Sequence, residues 1–310
     1  MTRVAAIDIG TNTTRLLVSD DGRDVSRRAV ITRLGAGVNR TRSLEPAAIE
    51  RTAHVLRQYR DVLDSERVER VRAIATSACR DATNREHFLD VAASVLGVRP
   101  DVISGAEEGA LAFAGATKGL APETGPFCVI DIGGGSTEFI VGTDRVVGLR
   151  SVDIGSVRLT EAELPSDPPK PEELANALAV VTAYVDEVML TLPAVGDART
   201  LIGVAGTITT VAAVELGLAT YDRDRVHRFR LSRAAVEDVF RTLATEALAD
   251  RVHNPGLEAA RADVIVGGCC ILVGILRRFG ANEIVVSDAD TLDGVVAALL
   301  EDRDDSGEPR

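Results

Sequence analysis

The sequence predicts an α/β protein of two domains, and three observations lead to that prediction. A twelve-residue motif occurs twice, strand-like apolar runs alternate with helix-like segments in both halves, and the Pro- and Gly-rich segment LAPETGP at 120–126 separates the halves. We expect a first domain at 1–122 and a second at 123–310. Each half is long enough to bury a core of its own.

The first half reads as a strand hairpin followed by alternating helices and strands. Period-two and apolar runs predict the strands, and apolar residues at a helical spacing predict the helices. The expected strands are 3–9, 14–19, 25–33, 71–76 and 101–104, and the expected helices are 45–64, 84–96 and 106–118.

The second half repeats this order and then adds helices. The Pro-Glu-Glu sequence at 171–173 is a helix start signal after a Pro-rich loop. The expected strands are 127–131, 137–141, 145–154, 200–205 and 283–287, and the expected helices are 172–191, a segment after GTITT, 233–248, 256–279 and 291–301. The charged tail EDRDDSGEPR is expected to be frayed.

Composition excludes several classes of function. The net charge is −12, with 47 acidic and 35 basic residues, which is the wrong balance for a protein that neutralises nucleic-acid phosphates. Aromatic residues make up only 3% of the chain, so binding of single strands by base stacking is not expected. No signal peptide or span of about 20 apolar residues is apparent, which predicts a cytoplasmic protein without a membrane segment.

The repeated motif is the most informative feature of the sequence. Residues 7–18, IDIGTNTTRLLV, and residues 130–141, IDIGGGSTEFIV, align without gaps and are identical at six of twelve positions. Each copy reads as a strand that ends in Asp, a turn of Gly and small hydroxyl residues, and a second strand. Glycine lets a ligand approach the backbone, so each turn could offer N–H groups to a phosphate. Asp8 and Asp131 would then suit a divalent cation that lies between them and the phosphate.

Seven segments, in order along the chain, resemble one family of enzymes. The segments are DIGTNTTRLLV at 8–18, ATSACRDATN at 75–84, ISGAEEGALAF at 103–113, VIDIGGGSTEF at 129–139, GVAGTITTVAA at 203–213, RADVIVGG at 261–268 and VSDADTLDG at 286–294. They resemble the exopolyphosphatase and guanosine pentaphosphatase phosphohydrolases. That family lies within the superfamily of actin, sugar kinases and 70-kDa heat-shock proteins.

The resemblance implies a fold and an activity. It implies two ribonuclease-H-like domains around a cleft, which hydrolyse the terminal phosphoanhydride of inorganic polyphosphate and release orthophosphate. It also implies Mg²⁺ or Mn²⁺ as the cofactor and a homodimer as the assembly. Guanosine pentaphosphate is the alternative substrate, although no sequence feature identifies a guanosine pocket.

The resemblance also assigns roles to residues of this chain. The second carboxylate of the SGAEEG segment, Glu108, corresponds to the family's catalytic base, and such a base suits the in-line attack of water. Adjacent helical residues point about 100 degrees apart, so only one of Glu107 and Glu108 can face a given site. The expected metal ligands are Asp8, Asp131 and Glu138. The expected phosphate-binding residues are Thr11, Asn12, Thr13, Arg80, Gly133, Gly134, Gly135, Ser136, Gly206, Thr207 and Arg261.

Two features depart from the pattern or lie outside it. Asp290 and Asp293 make the segment VSDADTLDG more acidic than its counterpart in long family members, and their role is open. The chain also stops near the point where long members continue into a helical region, so we expect a weaker hold on long polyphosphates. The loop DRDRVHRFR at 222–230 is the densest basic patch; it either attracts polyphosphate or is a solvated loop balanced by its own aspartates.

Two readings from other classes remain. A protein that binds polyphosphate or an alarmone without turnover would not need an intact Glu108, Asp8 and Asp131. An ATP-dependent sugar kinase or chaperone ATPase would share the duplicated motif, but the SGAEEG segment argues against it. Arg80 and Arg261 likewise have two interpretations, since an arginine can pair with a phosphate or with a carboxylate.

Overall fold

Two mixed β-sheets organise the chain, and each sheet contains one copy of the repeated motif. The structure, a computed structural model, describes residues 2–304. These residues divide into two units, the first formed by 2–115 with 290–304 and the second by Ala116–Ala289. The last six residues of the predicted frayed tail lie outside the described residues.

The first sheet has five strands in the order β3-β2-β1-β4-β5. The strands β1–β3 form an antiparallel meander, while β4 and β5 continue the sheet in parallel with β1. Their bounds are β1 Arg3–Ile9, β2 Thr13–Asp20, β3 Arg23–Ile31, β4 Arg70–Ala75 and β5 Asp101–Val102. The five strands predicted for this half are therefore confirmed.

The helices of the first unit follow the strands in the predicted order. Helix α2 begins with Pro46 and turns Ile49, Leu56 and Leu63 to the interior at helical spacing. The helices are α1 Val38–Thr41, α2 Pro46–Ser65, α3 Ser77–Asp81, α4 Arg85–Leu96 and α5 Gly105–Thr117. The short helices α1 and α3 were not predicted.

The second sheet repeats the order of the first and adds one strand. Its order is β10-β11-β9-β6-β7-β8, in which β6–β8 form the meander, β9 and β11 run parallel to β6, and β10 is antiparallel at the edge. The bounds are β6 Phe127–Ile132, β7 Thr137–Gly142, β8 Val146–Val152, β9 Thr200–Val204, β10 Arg230–Ser232 and β11 Glu283–Val286. The meander followed by parallel strands in both sheets is the ribonuclease-H-like arrangement, so the predicted fold class is confirmed.

The helices of the second unit depart from prediction in four places. Helices α6, α9 and α11 were missed, and the helix expected at 256–279 begins only at Ile265 because residues 252–264 form a loop with one 3₁₀ turn. The helices are α6 Ser156–Glu163, α7 Pro171–Thr191, α8 Ala205–Glu215, α9 Arg223–Val226, α10 Arg233–Thr245, α11 Leu248–Arg251 and α12 Ile265–Arg278. Helix α12 is buried over most of its length and contacts α6, α7 and α10.

The last helix belongs to the first unit, which differs from the predicted domain at 123–310. Alternate residues of β1 point to opposite faces of the sheet: Ala5 and Ile7 face α2 and α4, whereas Val4 and Ala6 face the final helix, α13 Thr291–Asp304. Without α13 that second face of β1 would lie open to water. The chain therefore returns at Asp290 to cover the first sheet.

The expectation that no segment is long and apolar enough to span a membrane is wrong for helix α7. It is the one helix among residues 2–304 that is long and apolar enough for a span, with a mean hydropathy of 1.3 over its most apolar window. Length and composition are weak evidence, since core helices of soluble proteins pass the same test. One face of α7, which includes Ala177, Val181 and Val185, packs into the core of the second unit.

Candidate phosphohydrolase site

The turn between β6 and β7 presents its N–H groups to one side because its carbonyl groups are held on the other. The Ser156 N–H donates to the Gly133 oxygen at 2.9 Å, and the N–H groups of residues 157 and 158 donate to the Gly134 oxygen at 2.9 and 3.1 Å. The Arg158 Nε donates to the Gly135 oxygen at 2.8 Å. All of these donors lie at the start of α6.

The carbonyl contacts also fix the direction of the N–H groups of Gly134, Gly135 and Ser136, which together form the ligand cradle. In a trans peptide, the N–H points away from the carbonyl of the preceding residue. The N–H groups of Gly134, Gly135 and Ser136 therefore point away from α6, and none of the three has an acceptor among the residues that the structure describes. Three N–H groups on one side of a turn can bind an anion. They belong to three of the four residues of this turn that the sequence predicted to bind phosphate; the N–H of the fourth, Gly133, donates to the Ser136 oxygen at 3.0 Å.

The approach of α6 to this turn depends on a glycine. A Cβ atom on Gly155 would lie 2.5 Å from both the Gly134 oxygen and the Gly135 nitrogen, closer than real Cβ contacts come. Any larger residue at position 155 would push the turn and α6 apart. Gly155, Arg158 and α6 were not predicted from the sequence.

The turn between β1 and β2 is anchored in the same way by the chain after β3. The Asn12 oxygen accepts hydrogen bonds from the N–H groups of residues 32 and 33 at 3.0 and 2.9 Å, and the Thr11 oxygen accepts one from Gly35 at 2.8 Å. Thr11 is buried, and its hydroxyl lies 2.7 Å from the Ser77 hydroxyl on α3. Thr13 is partly exposed at the start of β2.

The point where β9 passes directly into α8 combines backbone strain with an arginine contact. Ala205 has a φ of 69°, in the left-handed region that costs energy for any residue with a Cβ. The Arg261 guanidinium lies directly against the backbone of Gly206, where a Cβ would overlap it, and its Nε donates to Glu258 at 3.0 Å. Thr207 is buried in the first turn of α8. Gly206, Thr207 and Arg261 therefore lie close together.

The repeated aspartates have different partners in the two hairpins. Asp131 lies directly across the β6–β7 ladder from Glu138, and both are buried. At the equivalent place in the first hairpin, Asp8 lies across from Arg15, whose Nε donates to Asp8 Oδ2 at 3.0 Å. The second hairpin thus carries two acidic groups where the first carries an ion pair.

These arrangements fit a divalent cation unequally well. Two buried carboxylates on neighbouring strands repel each other, and a cation between Asp131 and Glu138 would remove that repulsion. Asp8 already has a cationic partner in Arg15 and keeps only Oδ1 without a hydrogen-bond partner. No group of three or more His, Cys, Asp or Glu side chains that could hold a metal occurs within residues 2–304. Water and phosphate oxygens would complete the shell of a magnesium ion.

Asp290 and Asp293 connect the start of α13 to the first sheet. Asp290 is buried, pairs with Arg15, and accepts a hydrogen bond from the Leu292 N–H at 3.0 Å. Asp293 pairs with Arg27 on β3 at 2.7 Å. The acidic character of VSDADTLDG is therefore matched by arginines of the meander, which gives these aspartates a structural role.

The two adjacent glutamates of α5 have separate arginine partners. Ser104 caps the helix, its Oγ accepting from the Glu107 N–H at 3.1 Å. The Glu107 side chain is exposed and pairs with Arg72 at 2.6 Å. The Glu108 side chain is only 14% exposed and pairs with Arg80 at 2.9 Å. The two side chains thus have different surroundings, and that Glu108 is the one facing the substrate stays a prediction.

Burial and the charge of Arg80 shift the pKa of Glu108 in opposite directions. Burial raises the pKa of Glu108 above its ordinary value, and Arg80 opposes that rise by stabilising the carboxylate. Burial likewise raises the pKa of Asp8, with Arg15 acting in the opposite direction. Arg80 Nη1, the nitrogen that donates to Glu108, also donates to the carbonyl oxygen of Ile103 at 3.0 Å. A partly buried carboxylate with a raised pKa is suited to accept a proton near neutral pH.

The basic loop at 222–230 is largely engaged by its own unit. Arg223 donates to Asp288 at 2.6 Å, and Arg230 pairs with Glu283. Arg228 donates to the backbone carbonyls of Ala116 and Lys118, at and just after the end of α5, at 3.3 and 3.2 Å. These contacts favour the structural interpretation of the loop over a role in attracting polyphosphate.

The predicted residues form two groups, one in each unit. The first unit holds Asp8, Thr11, Asn12, Thr13, Arg80 and Glu108, and the second holds Asp131, Gly133, Gly134, Gly135, Ser136, Glu138, Gly206, Thr207 and Arg261. A cavity of about 330 Å³ in the second unit is lined by none of these residues. It lies at the first residues of β9 and β11, whereas the predicted glycines follow the last residues of β6 and β9. Arg15 was not predicted from the sequence, although it is the repeat equivalent of Glu138 and the duplication therefore contained a signal for it.

Both units have the ribonuclease-H-like order of strands, and each carries one group of the predicted site residues. The profile of the Ppx/GppA phosphatase family matches residues 18–302. The chain belongs to the Ppx/GppA phosphatase family.

Sequence relatives include enzymes named for both substrates. The chain is 40% identical to exopolyphosphatase 2 of Mycobacterium tuberculosis over 96% of this chain and 99% of that protein. It is 30% identical to a guanosine-5'-triphosphate,3'-diphosphate pyrophosphatase of Aeromonas hydrophila, over 96% of this chain but only 59% of that protein.

Solved structures agree with the family assignment. A crystal structure of an exopolyphosphatase-like protein has a TM-score of 0.94 and 36% identity, and the match covers 97% of this chain and all of that one. The Aquifex aeolicus family member has a TM-score of 0.81 and 34% identity over 97% of this chain and 98% of that one. An exopolyphosphatase of Cytophaga hutchinsonii has a TM-score of 0.87 and 27% identity over the same shares of the two chains.

Proposed function

We propose that this protein is an exopolyphosphatase, which removes the terminal phosphate of inorganic polyphosphate. The observation that carries the proposal is the turn at 133–136: α6 holds the carbonyls of residues 133–135, and the N–H groups of residues 134–136 are left for a ligand. Such a cradle binds phosphate oxygens without reading a base or a sugar. The relative from Mycobacterium tuberculosis, which the match covers over 99% of its length, is named exopolyphosphatase 2.

Glu108 is the proposed catalytic base. It orients a water molecule and accepts its proton as the water oxygen attacks the terminal phosphorus. The bond from that phosphorus to the bridging oxygen breaks, and the products are orthophosphate and a chain shorter by one phosphate. Arg80 keeps Glu108 ionised and oriented. The N–H groups of the two turns stabilise the charge on the phosphate oxygens.

Asp131 and Glu138 are the proposed ligands of Mg²⁺ or Mn²⁺, and Asp8 could add one oxygen. A bound divalent cation would neutralise phosphate charge and orient the substrate. Removal of divalent cations with a chelator is expected to abolish phosphate release, and addition of Mg²⁺ is expected to restore it. That the two groups of residues serve one substrate stays a prediction from the sequence.

Guanosine pentaphosphate is the second candidate substrate, favoured by the relative from Aeromonas hydrophila. A single assay separates the candidates: phosphate release from polyphosphates of several lengths and from guanosine pentaphosphate, at matched concentrations of terminal phosphate. We expect higher kcat/KM on polyphosphate. Faster release from guanosine pentaphosphate would reverse the assignment, and tight binding without release would indicate a binding protein.

A homodimer stays a prediction from the resemblance, and a cytoplasmic location stays a prediction from the sequence. Light scattering after size-exclusion chromatography tests the first, and fractionation of the native cells tests the second.

A further inference from the structure

Arg158 lies behind the phosphate cradle and was not among the residues that the sequence predicted. We propose that Arg158 is a positioning residue: its guanidinium holds the peptide between Gly135 and Ser136 in the orientation that presents the Ser136 N–H to phosphate. The inference rests on the proposed function, since it gives that N–H group a phosphate ligand. Arg158 itself is on the α6 side of the turn.

The three carbonyls of the turn are anchored in different ways. The Gly133 and Gly134 oxygens accept hydrogen bonds from backbone N–H groups of α6, which any residue except proline would supply. The Gly135 oxygen accepts its hydrogen bond from a side chain, the Arg158 Nε, at 2.8 Å. The orientation of the third peptide therefore depends on the identity of residue 158, whereas that of the first two does not.

Glycine makes such an anchor necessary. Residues 133–135 are all glycine, and glycine samples backbone conformations on both sides of the φ map at little cost. A rotation of the peptide after Gly135 would replace the Ser136 N–H with a carbonyl oxygen facing the phosphate. That exchange would turn an attractive dipole into a repulsive one. A fixed donor behind the Gly135 oxygen opposes the rotation.

The positive charge of Arg158 adds to this effect. A cation at the carbonyl end of a peptide polarises it and makes its N–H a stronger donor. A charged donor also binds a carbonyl more strongly than a neutral donor does. Lysine at this position would supply charge and a donor, but without the planar guanidinium geometry. Methionine would supply neither.

The kinetics of Arg158→Met and Arg158→Lys test the proposal. We expect Arg158→Met to lower kcat/KM on polyphosphate about 10- to 100-fold, the effect of losing one hydrogen bond to a charged group. Arg158→Lys is expected to retain an intermediate activity. Arg278→Met is the matched control, because Arg278 pairs with Asp186 on the surface of the same unit. It should leave the kinetics unchanged.

Two further measurements separate positioning from a merely structural role. Methylguanidine added to Arg158→Ala should recover part of the lost activity, while having no effect on the wild type. Thermal unfolding should show Arg158→Met and Arg278→Met within a few degrees of each other. If Arg158→Met fails to fold, Arg158→Lys and the methylguanidine experiment decide. Wild-type kinetics in Arg158→Met would overturn the proposal, and so would a lack of response to methylguanidine.

Calorimetric titration with pyrophosphate distinguishes failure of this inference from failure of the proposed function. If the wild type binds pyrophosphate but releases no phosphate from polyphosphate, the hydrolase assignment fails. Weaker binding by Arg158→Met would still support the role of Arg158 in that case. Absence of pyrophosphate binding by the wild type would overturn both.

Discussion

Replacing Arg80 with methionine removes the cation that holds Glu108 in place. Two hydrogen bonds are lost, one at 2.9 Å to Glu108 Oε2 and one at 3.0 Å to the Ile103 oxygen. Methionine preserves much of the length and apolar contact of the arginine stem. The main change at Glu108 is therefore electrostatic.

The size of the effect follows from the environment of Glu108. Its side chain is 14% exposed, so water replaces the lost partner only in part. A hydrogen bond to a charged group contributes about 1.5–3 kcal/mol, which corresponds to about 10- to 100-fold in the equilibrium constant for protonation. Burial already raises the pKa of Glu108, and loss of Arg80 raises it further. A larger fraction of the base is then protonated and inactive at neutral pH.

The assay is the pH dependence of kcat/KM for phosphate release between pH 5 and pH 10. Because the base must be ionised, activity falls as the pH drops through its pKa. We expect the acid limb to move to higher pH in Arg80→Met, with part of the lost activity recovered at alkaline pH. Arg72→Met, which removes the partner of Glu107, serves as the matched control and should leave the limb in place.

The result that would refute this reasoning is an acid limb that does not move. A higher KM with an unchanged pH profile would mean that Arg80 acts on the phosphate alone, as the sequence analysis assigned it. Movement of the limb together with a higher KM would show both roles. An equal shift in Arg72→Met would mean that the effect is not specific to Glu108.

Three further changes test other parts of the account. Gly155→Ala should lower kcat/KM at least 10-fold, because its Cβ would displace Gly134 and the cradle; wild-type kinetics would show that the cradle is not the phosphate site. Asp290→Asn keeps the helix cap but loses the charge paired with Arg15, and should lower the free energy of unfolding by about 1–3 kcal/mol in a denaturant titration. Arg228→Met should leave KM for polyphosphate unchanged, whereas a several-fold increase would restore the substrate role of loop 222–230.

The order of strands and helices could be predicted because local patterns carry it. Strand β1 alternates between two buried faces, and α2 shows apolar residues at helical spacing after Pro46. Helix α6 could not be predicted in this way. It has eight residues, follows a glycine, and owes its position to contacts with the turn at 133–136. Tertiary contacts of this kind leave little trace in a single sequence.

The site was predicted where it coincides with a motif and missed where it depends on pairing. The turn residues and Glu108 lie within recognisable segments. The partners of these residues lie elsewhere in the chain: Asp290 is 275 residues from Arg15, and Arg158 is 23 residues from Gly135. The placement of α13 on the first sheet has the same origin, because it depends on contacts with the face of β1 that carries Val4 and Ala6, near the other end of the chain.

The turnover of Glu108→Gln tests the central claim most directly. The substitution keeps the shape of the side chain and removes the base, so we expect phosphate release from polyphosphate to fall about 100-fold or more, with pyrophosphate affinity retained. Glu107→Gln, one residue away on the exposed side of α5, should remain close to the wild type. Near-normal turnover in Glu108→Gln, or an equal loss in Glu107→Gln, would contradict the account.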